Sequence, residues 1–398
     1  MLMQRLFATY ARLLTETDTS FIRYLYKDID WNNRFIIIKG AKGVGKTTML
    51  LQHIKKSFDN VNQALYTSVD HIWFATHTLL ELAEYHYTHG GTHLMLDEIH
   101  KYQGWERELK NIYDSYPQLH IVVTGSSMLE LEQSVADLSR RVRIYTMHGL
   151  SFREYLKMEG VCDFPILRLE EILKSHVTIA SELTHQVKVL LHFERYLRSG
   201  YFPFYREEGD GFEERLQQVI STIIESEIPS VSRLEYESLY KAKTLLGVLA
   251  EKVPYTLNIK DLCTTVSVSR GNLMKLLSLM DKAALIRRLY TESSGMKMLT
   301  KPEKILFNNT NIMYSLTPNA DNGTMRETFF ASQLSVHHMI SMPSLGDFLI
   351  DGTYTFEVGG KNKKFIQVKD VLNSFVISDS IDIGFNNRIP LWIFGLMY

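Results

Sequence analysis

An apolar run, Phe35-Ile36-Ile37-Ile38-Lys39, passes directly into Gly40-Ala41-Lys42-Gly43-Val44-Gly45-Lys46-Thr47-Thr48, and this spacing of glycine, lysine and threonine tolerates few folds. It needs a strand before it and a helix after it. Glycine at 40, 43 and 45 lets the backbone turn tightly and bring N–H groups against phosphate oxygens with no Cβ intervening, while the following helix offers the positive end of its dipole. Lys46 then reaches the β- and γ-phosphates of a nucleotide, and the Thr47 hydroxyl can ligate Mg²⁺. Met49-Leu50-Leu51-Gln52-His53-Ile54 continues as an apolar helical stripe, which a chance glycine-rich turn would not require. The unit predicts an α/β fold with a parallel sheet.

A phosphate loop alone hydrolyses nothing; a carboxylate on a neighbouring strand is also needed. His93-Leu94-Met95-Leu96-Asp97-Glu98-Ile99-His100 supplies one. An apolar run ending in two acids reads as a strand buried on both faces, with Asp97 at its carboxyl end to hold Mg²⁺ and Glu98 one residue on to orient the attacking water. The plainer alternative is an acidic pair in a solvated turn. A strand, Ala64 to Val69, and a helix near Thr78 to Tyr87 fit between the two motifs. A third strand, Leu119 to Thr124, leads into Gly125-Ser126-Ser127. There Ser126 or Thr124 is placed to sense the γ-phosphate or the water, or else a polar loop simply caps the helix starting near Met128. Arg140, Arg141 and Arg143 precede a strand-like Ile144-Tyr145-Thr146-Met147. An arginine here would neutralise transition-state charge in its own or a neighbouring subunit, or serve only as a solvated surface charge.

Gly40 to Thr48, His93 to Lys101 with Trp105 just after, Val122 to Ser127, and Arg140-Arg141-Val142-Arg143 followed by Leu150-Ser151-Phe152-Arg153-Glu154-Tyr155-Leu156 together resemble a prokaryotic family of AAA-type P-loop ATPases, over essentially the whole chain. That family joins such an ATPase domain to a C-terminal domain similar to restriction endonucleases. The resemblance implies ATP, in preference to GTP, with Mg²⁺. Carried over residue by residue, it assigns Gly40, Gly45, Lys46 and Thr47 to the phosphate loop, Asp97 to the metal, Glu98 to the water and Ser126 to the sensor tip. Arg141 is the better match to the family's arginine, although the family often has Gly-Arg where this chain has Arg140-Arg141.

At 398 residues and 45% apolar content the chain can support two or three domains. Lys and Arg total 44 against 45 acids, a net charge of −1, so any nucleic-acid binding must be local. Cys162 and Cys263 are the only cysteines and lack metal-ligand spacing, which predicts neither zinc nor a disulfide framework. No secretory leader is expected at Met1 to Phe7 and no spanning segment anywhere, leaving cytoplasm as the expected location and no membrane partner.

Four segments are expected: an ATPase domain over 1–150, a helical lid or linker over 151–235, a winged helix-turn-helix module over 236–298, and an α/β restriction-endonuclease-like domain over 299–398. The lid carries helical patterns at Ser151–Leu156, Glu170–Ser175, Thr184–Leu197 and Phe212–Glu227. Its aromatics Phe193, Tyr196, Tyr201, Phe202, Phe204 and Tyr205 read as packing, because they have few basic neighbours. In the third segment, helices capped by Asn258 and Ser269 place Arg270, Asn272 and Lys275 where a DNA reader contacts base edges. Lys260, Arg270, Lys275, Lys282, Arg287 and Arg288 outnumber Asp261 and Asp281 there. The competing reading is a scaffold or protein contact.

In the last segment Glu327, Asp347 and Glu357 stand where a metal-dependent nuclease would hold its ions. The lysine such enzymes keep two residues after the last acid is Gly359 here, with Lys361, Lys363 and Lys364 further on, which points to a degenerate, binding or structural domain. The chain thus reads as a Mg²⁺-dependent ATPase acting as a switch or motor. Its partner is double-stranded DNA or, alternatively, a protein; a third reading is an ATP-coupled nuclease. Self-assembly is left open by the arginine reading.

Overall fold

The computed structural model describes residues 2–125, 141–229, 236–252, 255–256, 258–291, 301–317 and 319–398. The chain divides into two units, Met1–His148 and Gly149–Tyr398.

In the first unit β1 (Phe35–Lys39), β2 (Ala64–Ser68), β3 (His93–Asp97), β4 (His120–Gly125) and β5 (Arg143–Thr146) form one parallel sheet in the order β2-β3-β4-β1-β5. Phe35 to Ile38 and Leu94 to Leu96 are wholly buried, as a sheet covered on both faces demands. Each such side chain contributes roughly 1.5–3 kcal/mol by leaving water. Helices α1 (Leu2–Glu16), α2 (Lys46–Ser57), α3 (Leu79–Thr88) and α4 (Trp105–Ser115) accompany the strands. A capping box starts α3: Glu81 N donates to the Thr78 hydroxyl at 3.1 Å, and Thr78 N donates to the Glu81 carboxylate at 2.8 Å.

Because the strands run parallel, their carboxyl ends collect at one edge, with Lys39 beside both Gly125 and Thr146 and Ser68 beside Asp97. β4 follows β3 in sequence yet lies between β1 and β3 in space. That inserts Thr124 between the loop strand and the acidic strand.

The second unit begins with α5 (Phe152–Met158), α6 (Leu169–Gln186), α7 (Val189–Ser199) and α8 (Phe212–Thr222), the last running on as a π-helical turn at Ile223–Glu227. The sequence pattern predicts one helix over Thr184–Leu197. Instead the β-branched Val187, buried and extended at φ −139° and ψ 139°, separates α6 from α7. Phe193, Tyr196, Tyr201 and Phe202 are buried, with Phe152 and Phe193 edge-on at 5.3 Å, so these four aromatics are core packing. Buried Asn311 closes the end of α7: its Nδ2 donates to Tyr196 O at 3.2 Å and Leu197 O at 3.0 Å, and its Oδ1 accepts from Tyr201 N at 2.8 Å.

Next come α9 (Tyr236–Lys252), β6 (Tyr255–Thr256), α10 (Ile259–Val266), α11 (Arg270–Lys282), β7 (Ile286–Leu289) and β8 (Lys304–Phe307), the strands pairing antiparallel in the order β6-β8-β7. β8 lies beyond residue 298, where the sequence reading ends this segment; its role is set by its partners and not by a local signal. Then α12 (Thr310–Leu316) and α13 (Asn322–Leu334) precede β9 (Ile340–Ser341), β10 (Phe348–Ile350), β11 (Tyr354–Gly359), β12 (Ser374–Ser378) and β13 (Arg388–Pro390). Their sheet is antiparallel from β9 to β11 and parallel from β11 to β13. Asp351 and Gly352 turn the β10–β11 hairpin at φ 52° and 64°, the positive values that this pair of residues predicts.

The apolar stretch after Ile389 reads as a strand in sequence. Only Arg388–Pro390 is one; Pro390 cannot donate to a ladder, and Leu391–Leu396 winds into a buried 3₁₀ helix. Tyr398 is buried too, its main-chain oxygen accepting from Ser151 Oγ at 2.5 Å and Arg153 Nε at 2.9 Å. Among the described residues no helix is long and apolar enough to cross a membrane.

Candidate nucleotide-binding site

The loop between β1 and α2 is shaped by contacts that admit only certain residues. A Cβ on Gly40 would stand 2.3 Å from Met147 O, a clash no side chain survives. Gly43 and Gly45 take φ of 86° and 96°, the left-handed region that favours glycine. Gly45 then starts α2 as its N-cap. From below the loop, the buried Arg23 donates to Val44 O at 2.5 Å and to His148 O at 2.8 Å. Ala41 and Lys42 are half-buried and Thr48 is exposed at the start of α2. Lys46 is buried, and its ammonium donates to the carbonyls of Gly40 at 2.9 Å and Ala41 at 3.0 Å. A cation held by neutral carbonyls at the mouth of an N–H-rich loop is suited to an anionic ligand.

Asp97 is the node of the site. It is buried and accepts from the hydroxyls of Thr47 at 2.5 Å, Tyr66 at 3.0 Å and Thr124, and from Glu98 N at 3.1 Å. Three elements, α2, β2 and β4, therefore converge on the one carboxylate that β3 carries. Burial, with the Asp97 charge beside it, pushes the Tyr66 phenol well above its ordinary range, so Tyr66 stays a donor. The Thr47–Asp97 pair joins residues far apart in sequence, and a divalent cation bound there would be shared by a hydroxyl and a carboxylate, the oxygen chemistry Mg²⁺ prefers.

Glu98 follows at φ 56°, a backbone region uncommon for residues with a side chain. His100 Nε2 lies 3.5 Å and Lys101 Nζ 3.9 Å from Glu98 Oε2, and Lys101 also pairs with Asp70 at 2.8 Å. Burial lowers the His100 pKa to about 4, with the Lys101, Lys46 and Lys42 charges adding to it. The imidazole is therefore neutral near pH 7.

Of the residues expected from sequence, Lys46, Thr47, Asp97, Glu98 and Thr124 come together at the sheet's carboxyl edge. Ser126 and Arg140 lie outside the described residues. Within one chain Arg141 is placed elsewhere: its guanidinium reaches Asp114 of α4 at 3.3 and 3.4 Å. It precedes β5, so it stands at the amino end of that strand, whose three steps from Arg143 to Thr146 at the tip span roughly 10 Å. Sequence reasoning misses Tyr66, Arg23 and His100. Only Tyr66 left a signal, a hydroxyl-bearing aromatic near the end of a buried strand.

Tyr66→Phe tests the node, since it removes one of the hydroxyls while Thr47 and Thr124 remain. One hydrogen bond of about 1 kcal/mol predicts a three- to tenfold fall in turnover with nucleotide affinity little changed. Steady-state phosphate release alongside nucleotide titration checks it.

In the second unit, Glu327 pairs with Lys304 at 2.5 Å, Glu357 pairs with Lys363, and Asp347 accepts from Val358 N at 2.8 Å. Burial pushes both glutamates' pKa values up, with the Asp347 charge contributing. Among the described residues no group of three or more His, Cys, Asp or Glu is arranged to hold a metal ion.

Loop, acidic strand tip and parallel sheet order together fit a P-loop nucleotide-binding domain, and residues 32–156 match the family model of an AAA domain. Residues 190–323 match a domain of unknown function, DUF8612. The chain is similar to two uncharacterized proteins of Methanocaldococcus jannaschii. MJ1637 is 29% identical over 72% of this chain and 62% of its own length, and MJ1544 is 23% identical over 86% and 76%. The chain thus spans less than two thirds of the first of these relatives. Among solved structures, AMPPCP-bound DnaA of Aquifex aeolicus aligns at 15% identity and a TM-score of 0.26, covering 68% of this chain and 86% of that one.

Proposed function

We propose that the protein is a Mg²⁺-dependent ATPase that works as a switch or motor on double-stranded DNA. The observation that carries the hydrolytic part is the 2.5 Å contact between Thr47 and Asp97 with Glu98 next in the chain. Lys46 exchanges its two carbonyl partners for phosphate oxygens, and the loop N–H groups hold the remainder of the polyphosphate. Thr47 and Asp97 would hold Mg²⁺, whose charge offsets that on the phosphate oxygens when it is bound. Glu98 accepts a hydrogen bond from the attacking water and orients it, while His100 and Lys101 flank its carboxylate.

The DNA part is supported by helix and strand order. Three helices and the antiparallel β6-β8-β7 sheet follow the plan of a winged helix-turn-helix, and Arg270, Asn272 and Lys275 lie exposed at the start of α11. One observation favours the second reading, a regulatory ATPase whose later modules bind protein. Arg288 is held by Asp281 at 2.8 Å, and Arg287 turns inward, its Nε buried and its pKa lowered by that burial. Part of the basic surplus is therefore engaged within the fold, and Arg287 and Arg288 are both only partly exposed. The sheet mixing antiparallel and parallel strands beside α13 supports a restriction-endonuclease-like domain, and its lysine-paired glutamates support a binding role over cleavage.

ATP turnover measured with and without duplex DNA across a salt series separates the readings. The DNA reading expects stimulation that fades as salt rises, and about tenfold weaker binding for Arg270→Glu. Turnover indifferent to DNA at every salt concentration would leave the protein-contact reading.

A further inference from the structure

Glycine stands at 359 where a nuclease of the resembled type carries lysine, yet the space is filled. A Cβ on Gly359 would meet the Lys363 stem at 2.7–2.8 Å, and from there the Lys363 ammonium turns back to Glu357. The turn between them is built rather than loose. Lys363 N donates to Gly360 O at 2.9 Å, and Arg388 donates to Lys361 O at 2.8 Å, to Lys363 O, and to Ser378 Oγ at 2.9 Å. Facing it from α13 is Arg326, whose Nε is held by Asp379 at 3.0 Å, with the guanidinium about 3.5 Å from where a Cβ on Gly360 would stand. Between turn and helix lies an open cleft of ≈ 580 Å³ lined by Arg326, Gly360, Lys361, Asn362, Lys363 and Ser380. Every side chain at its wall is cationic or neutral and polar. The nearby carboxylates of Asp379 and Glu357 are each engaged by one of these cations, and Lys361 adds a charge with no acid among the lining residues.

We propose that this cleft holds a backbone phosphate of duplex DNA, between Arg326 and the side chains of Lys361 and Lys363. It rests on the DNA-associated reading given above and locates a contact outside the α11 helix. Cationic side chains carried on aliphatic stems around an open hollow match a phosphodiester, which offers oxygens and one negative charge and carries no base identity. The contact strengthens binding without reading sequence.

Two exposed positions permit a test that spares the fold. Lys361→Glu reverses a charge while leaving the main-chain oxygen that Arg388 holds. Ser380→Asp puts a carboxylate in the cleft at φ 60°, a conformation Asp tolerates. Affinity of the full chain for a fluorescent 20-base-pair duplex is measured against salt for both, beside an Arg270→Glu/Lys275→Glu variant, with basal ATP turnover and thermal melting as folding controls. The expected result is about tenfold weaker binding for each cleft variant, a salt slope shallower by about one, and unchanged basal turnover. Cleft variants that bind like the parent while the α11 variant weakens would overturn the cleft and leave the DNA reading intact. A parent protein that binds no duplex overturns both. Saturation by inorganic phosphate alone, with no competition from duplex, would make the cleft a free-anion site and overturn the proposal.

Discussion

Lys46→Ala is expected to lower ATP turnover by about 10²–10³-fold, the scale on which a single charge-stabilising donor acts. The side chain is buried and its ammonium donates to the adjacent carbonyls of Gly40 and Ala41 at the start of the loop. Alanine therefore removes the cation that meets the phosphates and leaves two carbonyls without their donor. Binding of a fluorescent nucleotide should weaken in parallel, while the melting temperature moves little, since Gly40, Gly43 and Gly45 still set the turn. Turnover at the parental level would remove Lys46 from the chemistry.

Glu98→Gln should behave differently, keeping nucleotide affinity within a few-fold and slowing hydrolysis by about 10²–10⁴-fold, the range that general-base catalysis contributes. Glutamine preserves size and can keep one polar contact, but it accepts no proton. The two variants therefore divide holding from hydrolysing: Lys46 moves both readouts, Glu98 only one. Single-turnover release of the γ-phosphate from prebound ATP is the decisive measurement, and an unchanged rate would make the His100 and Lys101 contacts to Glu98 merely structural.

Parts of the site legible in sequence are those whose chemistry is local. The loop from Gly40 to Thr48 and the Asp97-Glu98 pair each sit on one short stretch, so residue type and spacing suffice. Tyr66 and Thr124 reach Asp97 because β2 and β4 lie on either side of β3, and lateral order is not written in any single strand. Arg141 shows the reverse: nearness in sequence to the tip of β5 at Thr146 is not nearness in space when four residues, most of them in the strand, intervene. In the second unit the helical pattern is legible and its breaks are not, since Val187 interrupts a continuous apolar stripe. The lysine expected at 359 arrives from 363 by folding back across a turn, a geometry that spacing rules do not register.

Arg23 carries a consequence for how the domain is delimited. The segment matched to the AAA family begins at residue 32, and a fragment cut there would keep every motif that defines it. It would also lose the Arg23 guanidinium that donates to both Val44 O and His148 O, leaving the buried Val44 O and the part-buried His148 O to find water or shift. The stretch by which such a domain is recognised is therefore shorter than the stretch that keeps its nucleotide loop in shape, and a shortened protein could carry all the right residues and still hold them wrongly.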